Sequence, residues 1–105
     1  MTSRRRGGVG VVVLGATGSV GSAAADVLLE HPDRFHVRGL AAGRKGDRLL
    51  DLGRRLKAET IVLVDEEAGR ALRPSLKPGD PDLRFGQAAL LDLVADSRTD
   101  VVLQG

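Results

Sequence analysis

Apolar positions along this chain follow two alternating periods. Short unbroken runs rich in Val, Ile and Leu are separated by stretches in which apolar residues return every three or four positions. The first kind predicts strands covered on both faces, as in a parallel sheet, and the second predicts helices laid against that sheet. Strands are expected at Val9 to Leu14, Phe35 to Ala42, Thr60 to Val64, Leu83 to Phe85 and Val101 to Leu103. Helices are expected at about Ser19 to Glu30, Asp47 to Lys57, Asp65 to Leu72 and Gln87 to Ala95. On the first helix Val20, Ala23, Ala24, Val27 and Leu28 are expected to face the sheet. Leu49, Leu50, Leu52 and Leu56 do so on the second, and Leu90, Leu91 and Val94 on the last. His31-Pro32 ends the first helix, because the residue before a proline is driven out of the helical region. Asp47 is the expected N-cap of the second. Arg73 to Asp82, with Pro74, Pro78, Gly79 and Pro81, reads as a loop.

The resulting order, βαβαβαβαβ, predicts a three-layer α/β fold built on a Rossmann-like, doubly wound parallel sheet. Right-handed crossovers put the first three strands in the order 3-2-1 and the last strand on the other side of strand one. Such sheets take ligands at the carboxyl ends of their strands where the winding reverses, here between the first and last strands. With 105 residues, the chain has enough for one core and one domain. Residues 9–105 are expected to form it, with the sheet truncated after its last strand. Met1 to Gly8, which carries Arg4-Arg5-Arg6, is expected to be a disordered basic leader.

The most informative stretch is Val11-Val12-Val13-Leu14-Gly15-Ala16-Thr17-Gly18-Ser19-Val20-Gly21. A strand, a glycine-rich turn and a helix in succession are the layout that binds a diphosphate. Gly15 releases the chain from the strand in a tight turn. Gly18 lets a phosphate approach the backbone, and Gly21 lets the helix pack on the strand. Thr17 and Ser19 offer hydroxyl groups. Free N–H groups at the helix start, with the positive end of its dipole, face the anion. The spacing is G-x-x-G-x-x-G rather than G-x-G-x-x-G, so the flanking strand and helix carry the inference. A glycine-rich turn that binds nothing is the alternative.

A second stretch, Gly43-Arg44-Lys45-Gly46-Asp47-Arg48, follows strand two, where the adenosine ribose of a dinucleotide lies. An acid at that point accepts from the 2′-hydroxyl and favours NAD, whereas a basic cluster suits the 2′-phosphate of NADP. No acid ends the strand, and three cations follow at once, so NADP is expected over NAD. Arg48 on its own reads equally well as an ordinary basic residue of the loop.

Composition removes other classes. Aromatic residues make up 2% of the chain, with no Trp or Tyr, so there is no platform for stacking single-stranded bases. A net charge of +2 is too small for a dedicated DNA-binding surface. No apolar run is long enough for a membrane span or for the core of a signal peptide. Neither a nucleic acid nor a membrane is expected as a partner. Cysteine is absent, which removes disulfides, thiolate nucleophiles and cysteine metal sites and suits a reducing cytoplasm. His31 and His36 read as surface residues, since neither has a second ligand type at metal spacing. Asp65-Glu66-Glu67 open a helix, where acids complement the dipole, and are read that way rather than as paired catalytic carboxylates.

Taken together, several short motifs carry a family resemblance. Leu14 to Gly21, Asp26-Val27, His31-Pro32-Asp33-Arg34-Phe35, Leu40-Ala41-Ala42-Gly43-Arg44, Asp65-Glu66-Glu67-Ala68 and Phe85-Gly86-Gln87-Ala88-Ala89 fall in one order. In that order the chain resembles 1-deoxy-D-xylulose 5-phosphate reductoisomerases from about Val9 to Gly105. The resemblance implies an NADPH-dependent oxidoreductase of non-mevalonate isoprenoid biosynthesis. Such an enzyme rearranges the carbon skeleton of a ketose phosphate and reduces the aldehyde to 2-C-methyl-D-erythritol 4-phosphate, with a divalent metal, Mg or Mn. It implies a homodimer as well. Carried over by motif, the cofactor contacts are Thr17, Gly18, Ser19 and Val20, then Gly43, Arg44 and Lys45. Gly15 and Gly21 complete the turn. The family usually has Lys then Asn where this chain has Arg44 and Lys45, so charge is kept and a side-chain amide is lost. The family's metal-binding carboxylates, phosphate-site residues and lid come later in its order. No catalytic or metal-binding residue is therefore assigned here, and these 105 residues alone are expected to be catalytically incomplete.

Other readings stay open on the residues alone. One is another Gly-Ala-Thr-Gly reductase, such as a semialdehyde dehydrogenase-like protein. Another is a stand-alone nucleotide-binding regulatory module. The last is an α/β domain that binds no nucleotide.

Overall fold

Val11, Val12 and Val13 are consecutive, and all three are buried. Neighbours in an extended chain point to opposite faces, so this run is covered on both sides. The computed structural model describes residues 8–104, the side chain of Val20 excepted. In chain order it contains β1 (Val9–Leu14), α1 (Ser19–Glu30), β2 (Phe35–Ala42), α2 (Gly46–Leu56), β3 (Thr60–Leu63) and α3 (Glu66–Leu72). A single 3₁₀ turn (Arg73–Ser75), β4 (Asp82–Phe85), α4 (Gln87–Ala95) and β5 (Val101–Gln104) complete it. The strands pair in parallel in the order β4-β3-β2-β1-β5. The expected doubly wound sheet is therefore present, and β4, whose place was left open, extends it beyond β3.

The strand residues sort by parity into two cores. Val11, Val13, Leu40, Ala42, Ile61 and Leu63 pack under α1, α2 and α3. Val12, Ala41 and Val62 pack under Ala89 and Leu93 of α4. These are the three expected layers. Each fully buried branched side chain contributes about 1.5–3 kcal/mol, which is how a domain with two phenylalanines and no larger ring holds together.

Two helices present faces other than those expected. On α1, Gly21, Ala25 and Leu28 are buried, while Ala23 is exposed and Val27 is 54% exposed. The cause is Gly21. A Cβ there would lie 2.6 Å from the Cα and O of Ala16 and from the O of Gly15. That close approach sets the rotation of the helix, and positions four and seven residues on follow it inward. On α4, Ala89 and Leu93 are buried and Leu91 is 60% exposed. Leu93 fills the space that Gly39 leaves on β2, where a Cβ would meet Leu93 Cδ2 at 2.5 Å. The stripe on α2 is as expected, with Leu49, Leu50 and Leu52 buried.

Smaller corrections concern ends. Helix α2 begins at Gly46 with Lys45 at the N-cap, so Asp47 lies in the first turn instead of capping it. Gly8 is not part of a leader. It adopts φ +80, and a Cβ there would meet Arg34 O at 2.0 Å, beside the Val9 N–H that donates to the same oxygen. The rest of the expected leader, residues 1–7, lies outside the described residues.

The β1–β2 register slips between Val11 and Val12, and Arg38 is the extra residue. This bulge carries Arg38 to a buried position, 3% exposed, where it pairs with Asp96 at 2.9 Å and with Glu59. Glu59 also takes His36, and Arg98 reaches Asp96 at 3.2 Å. The cluster ties the exit of α4 to the amino ends of β2 and β3. His36 is thus half-exposed, as expected, but paired.

Candidate functional site

Strand β1 is where the winding reverses: β2, β3 and β4 lie to one side of it and β5 to the other. The turn after β1 therefore sits at the position where doubly wound sheets bind ligands. Gly15 takes φ +68, a conformation that side chains resist. Ala16 is buried, and its N–H donates to Ala41 O at 2.9 Å, which ties the turn to the end of β2. Gly18 is the N-cap of α1, with φ −84 and ψ 178. Its carbonyl accepts from the Ser22 N–H at 2.9 Å and the Ser22 Oγ–H at 3.0 Å. No side chain caps α1 and no acid occupies its first turn. The N–H groups of Ser19, Val20 and Gly21, with the positive end of the dipole, remain for an anion. Helix α3 is the contrast: Asp65 caps it, accepting from the Glu67 N–H at 3.2 Å, and Glu66 and Glu67 offset its dipole.

The three glycines of the turn have three different causes. Gly15 is required by φ and Gly21 by packing. Gly18 is required by neither: a Cβ there would find only Gly15 O, at an ordinary 3.5 Å. What Gly18 provides is open space in front of the helix end. Thr17 is half-buried beside it and Ser19 is exposed.

The loop after β2 stands at the same edge of the sheet. Gly43, Arg44, Lys45 and Arg48 are exposed. Gly43 O accepts from the Asp65 N–H and Arg44 O from the Gly46 N–H, both at 2.9 Å, and α2 also lacks a side-chain cap. Arg38, Arg54, Arg70, Arg84 and Arg98 each face a carboxylate. Among the described residues, Arg44, Lys45, Arg48 and Arg55 make no ion pair. Arg44 and Arg48 face different clefts. Arg48 lines one of about 180 Å³ with Thr17, Ser22, Asp51 and Arg55, between α1 and α2. Arg44 lines another of about 260 Å³ with Asp47, Ala68, Ala71 and Leu72, between α2 and α3. Arg55 was missed in the sequence, although its spacing of seven from Arg48 places both on one helix face.

The strongly perturbed carboxylates lie elsewhere. The Arg54 guanidinium and the Lys77 N–H hold Asp80 down to about 2, and Arg98 holds Asp96 below the ordinary carboxylate range. Neither borders the turn or its two clefts. Among the described residues no three His, Cys, Asp or Glu side chains gather as a metal site, and no helix is long and apolar enough to cross a membrane. What the turn offers is N–H groups, hydroxyls and unpaired cations, the chemistry of phosphate binding.

The family model of 1-deoxy-D-xylulose 5-phosphate reductoisomerase matches residues 11–105. The chain belongs to the 1-deoxy-D-xylulose 5-phosphate reductoisomerase family. The reductoisomerase of Anaeromyxobacter sp. (strain K) is 49% identical over 69 residues, which span 66% of this chain and 18% of that protein. That of Symbiobacterium thermophilum is 37% identical over 98 residues, 90% of this chain and 25% of that protein. The solved reductoisomerase from Zymomonas mobilis, in complex with NADPH, superposes with a TM-score of 0.78 at 31% identity. The superposition covers 83% of this chain and 23% of that one. This chain thus spans about a quarter or less of the length of these reductoisomerases.

Proposed function

We propose that residues 9–105 form the NADPH-binding domain of a 1-deoxy-D-xylulose 5-phosphate reductoisomerase. On this reading Gly15, Thr17, Gly18, Ser19, Val20 and Gly21 hold the cofactor's diphosphate, and Gly43, Arg44 and Lys45 bring positive charge to its adenosine end. One observation carries the proposal: Gly18, which neither φ nor packing requires, leaves an uncapped, acid-free helix terminus open at the point where the sheet reverses. NADPH, when bound, supplies the hydride that reduces the aldehyde formed by rearrangement of a phosphorylated sugar. The part of this domain is to bind and orient the cofactor. The described residues do not fit the divalent metal of that reaction, so no metal step is assigned to them. The proposal includes a homodimer, which rests on the family resemblance, and a cytoplasmic setting, which the cysteine-free sequence supports.

The test is an equilibrium titration of the full chain with NADPH and with NADH, read by the fluorescence of the reduced nicotinamide. The chain has no Trp or Tyr, so that signal belongs to the cofactor. Saturable binding with preference for NADPH is expected. Absence of saturable binding by either nucleotide rejects the reading.

A further inference from the structure

At the amino end of the sheet, opposite the glycine-rich turn, the last turns of α1 and α2 and the start of β2 enclose an open groove of about 490 Å³. Its floor is apolar, lined by Leu28, Leu29, Phe35, Val37 and Leu56. Its rim carries Arg55 and Lys57, and no Asp or Glu lines it. We propose that this groove binds an amphipathic anion, an aliphatic tail with a small oxyanion head. The tail lies on the leucines, and Arg55 and Lys57 hold the head.

Four observations support this assignment. The volume falls within the range of about 300–1,000 Å³ usual for small-molecule sites, and a mostly apolar lining with a few charged groups is their usual make-up. Leu29 is 37% exposed, so apolar surface is left for a tail to cover. The cations are uncommitted. Arg54, their neighbour, is spent on Asp80 through two bonds of 2.9 Å, whereas Arg55 and Lys57 make no ion pair. Glu59, which takes His36 at the edge of the groove, also takes Arg38. The last observation is the backbone of Lys57. It closes α2 in the left-handed conformation, φ 54 and ψ 43, and among the described residues no other non-glycine has a positive φ. Glycine suits that position best, so a lysine there holds an ammonium at the rim against the backbone preference. Cations at a helix end also offset its dipole, but that role needs no apolar floor beside them. Charge selects the occupant: the chain's own Met1 to Gly7, with Arg4, Arg5 and Arg6, carries the sign of the rim, and an anion complements it. The groove is independent of the nucleotide reading, since the eight residues of β2 put it about 23 Å from the loop after that strand.

The experiment titrates decanoate, decyl phosphate, 1-decanol and acetate, below any micelle concentration, into the nitrogen-15-labelled full chain and its Lys57→Gly, Arg55→Gln and Leu29→Gln variants. Saturable amide shifts are expected with decanoate or decyl phosphate, centred on Leu29, Phe35, Leu56 and Lys57, with Ser19 to Gly21 unmoved. Whichever anion binds more tightly names the head group. Acetate and 1-decanol are expected to bind at least tenfold more weakly, since each lacks one half of the ligand. Lys57→Gly and Arg55→Gln are each expected to weaken the anion about threefold, and the double variant about tenfold. Lys57→Gly relieves the backbone, so its Tm is not expected to fall, and a loss of binding there is no folding defect. Leu29→Gln is expected to weaken the anion severalfold. No saturable shift with either decyl anion overturns the proposal. So do shifts centred on the exposed Val101, Val102 and Leu103 of β5, equal binding of 1-decanol, or unchanged affinity in the double variant.

Discussion

Gly18→Ala separates what the fold needs from what a ligand needs. The alanine Cβ meets nothing closer than Gly15 O at 3.5 Å, and φ −84 with ψ 178 is extended backbone open to any residue. The cost to the fold is the weaker N-cap preference of alanine, about 1 kcal/mol or less. For a domain of this size that lowers Tm by about 4–8 °C at most. Binding is affected more strongly, because the methyl group occupies the approach of the diphosphate to the N–H groups of Ser19, Val20 and Gly21. Hydrogen bonds to a charged partner contribute about 1.5–3 kcal/mol each. Displacing the phosphate from two of them costs about 3 kcal/mol, or about a hundredfold in Kd. The assay is NADPH titration beside a thermal melt, with Gly18→Val as the larger perturbation. A folded Gly18→Ala protein with unchanged Kd would refute the assignment of this turn to the diphosphate.

Gly21→Ala should behave in the opposite way. Its Cβ would lie 2.6 Å from backbone atoms that cannot yield, so a loss of about 3 kcal/mol is expected by urea denaturation. Stability unchanged within about 0.5 kcal/mol would show that α1 does not need that approach. Leu93→Ala empties the space above Gly39 and should cost about 3 kcal/mol; a loss below about 1 kcal/mol would mean that α4 is not anchored there. Burial alone would raise the pKa of Glu59, but its bonds to His36 and Arg38 hold it below the ordinary range. Stability from a lowered carboxylate is present above its unfolded pKa of about 4.3 and is lost as pH falls through its folded value. The Tm of the unaltered chain should therefore drop on acidification below about pH 4.5, and Glu59→Gln should lower Tm at pH 7 and flatten that drop. An identical acid profile for the two would exclude Glu59.

The strands were legible because burial on both faces writes continuous aliphatic runs such as Val11-Val12-Val13 and Ile61-Val62-Leu63. The turn was legible because its glycines stand between such a run and a helix. Helix rotation was not. On α1 and α4 it is set by absent Cβ atoms at Gly21 and Gly39, and hydrophobicity favoured Val27 and Leu91, which the structure leaves exposed. The burial of Arg38 depends on a bulge that no local pattern announces. The division of Arg44 from Arg48 depends on the start of α2 at Gly46 and on the clefts either side of it, so one basic loop in the sequence becomes two surroundings in the fold.

The central claim is that a dinucleotide sits across the turn after β1 and the loop after β2. Amide chemical shifts of the nitrogen-15-labelled chain, followed as NADPH is added, test it most directly. The largest changes are expected to fall on Ser19, Val20 and Gly21 and on Gly43, Arg44 and Lys45, and to saturate together. Shifts absent from both segments, or centred on His36, Glu59 and Asp96 at the other end of the sheet, would contradict it.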